Sequence, residues 1–125
     1  MKNVLLWIWQ LPQNLLGLLV ILFSRGKKAD GYYTTTANFG VSLGNYIIVR
    51  NGANQDTINH EKGHQVQSKR FGPLYLLIIG LPSAMFNLID RVFHKNWPVN
   101  KRLKWYYSLP WEKNADDLGG VTRNF

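Results

Sequence analysis

The five residues His60-Glu61-Lys62-Gly63-His64 constrain this chain more than any other stretch. Histidines four apart on an α-helix lie on one face, so both imidazoles can reach a single metal ion. A glutamate one position after the first histidine is rotated about 100° around the axis. It is too far round to join the two-histidine clamp, yet close enough to touch a water bound to the metal, which is the place of a general base. Residues 60–64 should therefore be helical, and at least one further ligand must come from elsewhere.

With 125 residues the chain is expected to be one domain, 1–125, with a modest core. Fifteen Lys and Arg face seven acids, a formal charge of +8. Such a balance fits nucleic acid or an anionic membrane. The basic residues stand in small groups beside apolar stretches, which favours the membrane. No nucleic-acid-binding motif is present. There is no cysteine, so disulfides and thiolate metal sites are excluded, and any zinc must be held by His and carboxylate ligands.

Residues 4–23 carry no charge and are long enough to cross a bilayer, although Pro12 interrupts them and residues 12–23 alone would rise only about 18 Å. Gln10, Gln13, Asn14 and Gly17 recur at i, i+3, i+4 and i+7, a polar or small stripe suited to packing on the rest of the protein while the apolar side faces lipid. The segment reads as a membrane anchor, or else as a packing or in-plane helix. No cleavage site for a signal peptide follows it. Arg25, Lys27 and Lys28 come next and bias the C-terminal side towards the cytoplasm.

From Gly31 to Arg50 the chain is rich in β-branched and aromatic residues. Gly44-Asn45 separates two runs, and the pattern predicts a hairpin of Asn38–Leu43 with Tyr46–Arg50. Asp56 is the expected N-cap of a helix over Thr57–Arg70, stopped by Gly72-Pro73. Residues 73–89 are apolar but divided by Gly80 and Pro82. Lys69 and Arg70 before them and Arg91 and Lys95 after them favour a stretch that returns to the same side. A pair of buried core helices is the alternative. Residues 95–107 interleave Lys and Arg with Trp97, Trp105, Tyr106 and Tyr107, which suits a headgroup layer better than single-stranded nucleic acid. Pro110 and Gly119-Gly120 bracket a short last helix, where Glu112 and Asp116 share a face.

Apart from Glu61, Glu112 is the only glutamate in the chain. Glu112-Lys113-Asn114-Ala115-Asp116, an E-x-x-A-D downstream of an H-E-x-x-H, resembles the gluzincin metallopeptidases and their membrane-bound members of the prenyl-protein-protease kind. The chain also looks like small bacterial proteins in which H-E-x-G-H is followed by Q-S and G-P-L-Y-L, here Gln67-Ser68 and Gly72–Leu76, over roughly residues 38 to 121. The resemblance implies an α+β, minimal zincin-like domain. Its parts would be an N-terminal hydrophobic helix (4–23), then a catalytic unit over 31–125. That unit would hold a β-hairpin, the HExxH helix, a broken apolar helical hairpin and a short ExxAD helix.

It further implies Zn²⁺ held by His60, His64 and Glu112, with Glu61 as general base and Asp116 orienting a ligating histidine. The activity implied is hydrolysis of a peptide or protein substrate at a bacterial inner membrane, on the cytoplasmic side. Zincins place an edge strand over the metal for substrate to join, and Tyr46–Arg50 is the expected strand. The group stabilising the oxyanion is open among Tyr106, Tyr107, His94 and Arg123. Because Glu112 must meet His60 and His64, one straight span over 73–89 conflicts with the site, so the stretch is expected either to turn back, as Gly80 and Pro82 suggest, or not to enter the bilayer. Two alternatives stand beside this. One is a non-catalytic membrane protein with a structural zinc closed by His94 or Asp116. The other is a basic lipid- or nucleic-acid-binding module without metal.

Overall fold

The computed structural model describes residues 2–123 and is mixed α+β, with six α-helices and one four-stranded sheet among the described residues. Its helices are α1 (Lys2–Trp9), α2 (Leu11–Ser24), α3 (Gln55–Phe71), α4 (Leu81–Phe93), α5 (Val99–Tyr107) and α6 (Pro110–Gly119). The strands are β1 (Lys27–Lys28), β2 (Tyr33–Thr35), β3 (Gly40–Leu43) and β4 (Tyr46–Arg50), in the order β1-β2-β4-β3.

The apolar N-terminal stretch is not one helix. α1 and α2 meet at Gln10 with a bend of 86°. The expected polar stripe is buried, with Gln10, Gln13 and Asn14 fully enclosed. Gln13 Nε2 donates to Ser68 Oγ (2.9 Å) and to the Gly72 carbonyl (2.8 Å), and Ser68 Oγ donates to Gln10 Oε1 (2.6 Å). These bonds tie α2 to the last turn of α3. Trp9 closes the same corner: its indole N–H donates to the Lys69 carbonyl (2.9 Å). Gly72, at φ +55°, lies so near that a Cβ there would fall 2.1 Å from the Trp9 ring. The opposite side of α1 and α2, from Leu5 and Ile8 to Leu22 and Phe23, is exposed.

β3 and β4 form the expected hairpin, paired Leu43↔Tyr46 to Gly40↔Val49 across Gly44-Asn45, with β3 starting two residues later than expected. The turn is seated on α2, because the Asn45 N–H donates to Asn14 Oδ1 (2.7 Å). Gly44, at φ +66°, leaves no room for a Cβ beside that amide. Alternation along the hairpin sends Ile47 and Val49 to a small cluster with Ile58 of α3, while Leu43 and Tyr46 meet α2 at Gly17. The sheet therefore lies between α2 and α3.

β4 is not the edge strand expected from sequence. β2 pairs with it in parallel on its other side, and Ile47, Ile48 and Val49 are wholly buried. The edge is β3. Nor is Asp56 the N-cap of α3: Asn54 Oδ1 accepts from the Thr57 N–H (2.9 Å), and the helix begins two residues earlier. Asp56 stands in the first turn, where its charge suits the helix dipole.

The apolar stretch after α3 does not turn back at Gly80 and Pro82. A 3₁₀ turn (Gly72–Leu74) leads into a π-helical turn (Leu76–Gly80), which runs straight into α4. Pro82 sits in the first turn of α4, where its missing N–H costs little. Leu76–Phe93 is one helix of 18 residues with mean hydropathy 1.5, apolar enough to cross a membrane, and almost none of it is buried. The reversal comes later, at residues 94–98, after which α5 runs back and delivers α6 to α3. So the conflict between a straight apolar helix and a site shared by His60, His64 and Glu112 does not arise, because the N-terminal half of α4 already lies beside the site.

Replacing Gln13 with Met keeps its length but leaves the Gly72 carbonyl without its donor and Ser68 with only its bond to Gln10. It should lower stability by about 1–3 kcal/mol, read as a reduced unfolding midpoint in urea. An unchanged midpoint would show that the stripe contributes nothing.

Candidate metal centre

Two glycines bring α6 against α3. A Cβ on Gly63 would lie 1.8 Å from the Ala115 carbonyl oxygen, and one on Gly119 would lie 2.0 Å from the Asn59 carbonyl oxygen. Backbone touches backbone at both points, so no side chain can yield to make room. Glu112, fully buried in the first turn of α6, then faces both histidines of α3. Its Oε1 lies 3.1 Å from His60 Nε2 and 2.9 Å from His64 Nε2. Its Oε2 accepts from Ser83 Oγ of α4 at 2.7 Å.

The remaining nitrogen of each imidazole is held by an acceptor. His60 Nδ1–H donates to Asp116 Oδ1 (2.7 Å), and Asp116 is itself clamped by Arg123 through Nε (2.7 Å) and Nη2 (2.9 Å). His64 Nδ1–H donates to Gln67 Oε1 at 2.6 Å. The Gln67 amide is oriented by its own NH₂, which donates to the Trp111 carbonyl and to Asn114 Oδ1, both at 2.9 Å. Both Nδ1 atoms thus keep their protons, and both Nε2 atoms, which here face the Glu112 carboxylate, are the ones that would give up a proton and turn to a metal.

His60, His64 and Glu112 form a buried group whose ligand atoms all lie within 4.8 Å of one another, and it could hold a metal ion. Zinc–nitrogen and zinc–oxygen bonds near 2.1 Å at tetrahedral angles need ligand atoms about 3.4 Å apart. The observed 2.9 and 3.1 Å meet this with an opening of a few tenths of an ångström. Three protein ligands with hydrogen-bonded outer nitrogens fit an open site rather than a closed one.

Burial works against charge on His60, but the bonds to Asp116 and Glu112 prevail and raise its pKa to about 9. His64 is also raised: burial opposes this, and the Glu112 bond together with the charges of Glu61 and Glu112 overcomes it. Glu112 is lowered: burial opposes this, and the two imidazoles overcome it. Asp116 is likewise lowered against burial by His60 and Arg123. Glu61 behaves differently. Burial raises its pKa, the two imidazoles only partly counteracting, and its Oε2 is buried without a partner.

An open cavity of about 290 Å³ runs over these residues, walled by β3 on one side and by Gly80, Ser83 and Asn87 on another. Tyr106 and Tyr107 also line it, and burial pushes the Tyr107 hydroxyl up to about 12. Two residues named from sequence lie elsewhere. His94 stacks on Trp97 (ring centroids 3.6 Å apart) and bonds Asp90 at the far end of α4. Arg123 stacks over the Tyr107 ring at 3.4 Å and pairs with Asp116 outside the cavity. Neither His94 nor Asp116 joins the ligand group as a fourth member. Gly63, Gln67, Ser83 and Gly119 were not read as site-building residues. The one available signal was the glycine inside the helix at 63, which lowers helix propensity and so calls for a packing reason.

No family model, curated protein or solved structure matches the chain.

Gly63→Ala should separate α6 from α3, costing about 1–3 kcal/mol or more in stability and most of the metal affinity. Full metal content with an unshifted melt would refute the close-approach account. Because a cation must displace protons from both Nε2 atoms, uptake of zinc at neutral pH should release protons, and affinity should rise from pH 6 to pH 9. Calorimetry in buffers of different ionisation enthalpy measures the release. A heat independent of buffer would argue against these ligands.

Proposed function

We propose that this chain is a zinc-dependent metallopeptidase of the gluzincin type. Its ligands are His60, His64 and Glu112, its general base is Glu61, and Asp116 orients His60. The observation that carries the reading is Glu61. A carboxylate in the wall of the cavity, with one oxygen unpartnered and a pKa raised by burial, suits a group that must take up a proton. Zinc suits a set of two imidazoles and one carboxylate, and when bound it polarises a carbonyl and lowers the pKa of its water towards about 7.

Glu61 would take a proton from water as its oxygen adds to the scissile carbonyl, and would deliver that proton to the amine nitrogen as the C–N bond breaks. Tyr106 and Tyr107 stay protonated because burial raises both, so their hydroxyls are the donors available to negative charge developing on the substrate. Asp116 keeps Nδ1 of His60 protonated and its ring fixed. Ser83 holds the second oxygen of Glu112, which leaves Oε1 directed at the histidines. The substrate is a peptide or protein segment lying beside β3, which replaces Tyr46–Arg50 as the strand open to addition.

Association with a membrane, the bacterial inner membrane by resemblance, is supported by the exposed apolar helix Leu76–Phe93 and the exposed apolar side of α1 and α2. Lys101 stacked on Trp97 suits a headgroup layer at the end of that helix. A structural-zinc protein is the weaker reading, because neither His94 nor Asp116 is free to close the site.

Glu61→Gln should keep zinc at full occupancy and reduce peptide hydrolysis by at least about 10²-fold. Hydrolysis retained in a zinc-loaded variant would sink the mechanism.

A further inference from the structure

A second, larger hollow opens next to the cavity over the metal group. It is a shallow groove of about 650 Å³ lined by Leu16, Leu19, Val20 and Phe23 of α2 with Phe39 and Val41 from the start of the hairpin. Apart from Ser24 at one end, its walls are apolar. Leu16 and Val41 line both hollows, so the groove and the cavity are one continuous surface.

The register of β3 explains how one ligand would use both. Leu43 meets α2 at Gly17, and Val41, two residues away, faces α2 as well. Gly40 points the other way: a Cβ there would lie 3.9 Å from Glu61 Oε1 and 3.9 Å from Thr57 of α3. A strand added to β3 presents its side chains alternately to the same two sides. Those level with Gly40 and Ser42 would face Glu61 and the histidines. The one level with Val41 would face the groove. At about 290 Å³ the cavity is at the small end for a ligand pocket, so an extended peptide would reach beyond it.

We propose that the groove between α2 and β3 is a substrate subsite that selects aliphatic or aromatic side chains at the α2-facing positions of an extended peptide. This rests on the peptidase reading. α2 then has two roles: its polar stripe braces α3, and its apolar flank reads the substrate. The free edge for addition ends at Ser42, whose carbonyl already accepts from the Tyr75 hydroxyl at 3.0 Å. The paired segment would therefore run from Ser42 towards Phe39, the direction in which the groove lies.

The test uses the full chain in lipid nanodiscs and two internally quenched peptide pools, identical except for Leu or Asn at alternate positions. Wild type should cleave the Leu pool with kcat/KM at least about tenfold higher. Leu19→Arg, at a half-exposed position, should abolish that advantage mainly through KM, with zinc content unchanged. Equal cleavage of the two pools by wild type, or a preference that survives Leu19→Arg, would overturn the subsite. Binding of the same pools to Glu61→Gln separates this from the peptidase reading. A Leu preference in binding that Leu19→Arg removes upholds the groove even if wild type hydrolyses nothing, and equal binding overturns it. If Leu19→Arg abolishes uptake of a fluorescent fatty acid and alters neither peptide pool, the groove holds lipid and the proposal fails.

Discussion

The contact of the α3 backbone with the α6 backbone is the constraint on which the site depends. Side-chain packing commonly keeps helix axes 8–10 Å apart, and Gly63 and Gly119 remove the atoms that would enforce that spacing. A short glutamate side chain in the first turn of α6 can then meet two imidazoles on α3 without any intervening loop. The same approach puts Asp116, one turn further along α6, level with the outer nitrogen of His60. One close contact thus sets both the inner and the outer partners of that histidine. A glycine within a helix costs about 1 kcal/mol relative to alanine, and the close approach gives a reason for carrying it.

Around this contact, among the described residues, Glu61 is the buried charge left with an unpartnered oxygen. Glu112 is shared by two imidazoles and a serine, and Asp116 by an imidazole and a guanidinium. Glu61 faces the same imidazoles through space, yet one of its oxygens bonds nothing. Structural carboxylates in protein interiors are saturated with hydrogen bonds. An unsaturated one next to a set of metal ligands fits a group reserved for a transient partner.

Local features of the chain were legible in its sequence, and long-range ones much less so. The H-E-x-x-H spacing, the hairpin about Gly44-Asn45, the stop at Gly72-Pro73 and the polar stripe of α2 depend on periodicity and turn chemistry, which act within a few residues. The grouping of Glu112 with His60 and His64 was expected from the resemblance of the downstream E-x-x-A-D to the gluzincin pattern, and not from any local rule. What was missed depends on distant neighbours. β1 and β2 are two and three residues long, too short for alternation to register, and the parallel pairing of β2 with β4 moved the edge of the sheet to β3. Gly80 and Pro82 resemble a break but are absorbed by a π-turn and a helix first turn. Asn54 outcompeted Asp56 as cap because only Asn54 stands outside the helix, with extended backbone.

The bond from Gln13 to the Gly72 carbonyl also bears on the order in which the chain can mature. α2 is made early, yet the partners of its polar stripe, Asn45, Ser68 and Gly72, are made up to 59 residues later. Until then Gln10 and Asn14 can bond the Leu6 and Trp7 carbonyls just before them, and Gln13 has only water. The polar side of α2 therefore stays in water until α3 arrives to cover it. Completion of α3 and settlement of the N-terminal helices then become one event, so that a chain still short of residue 72 has neither in place.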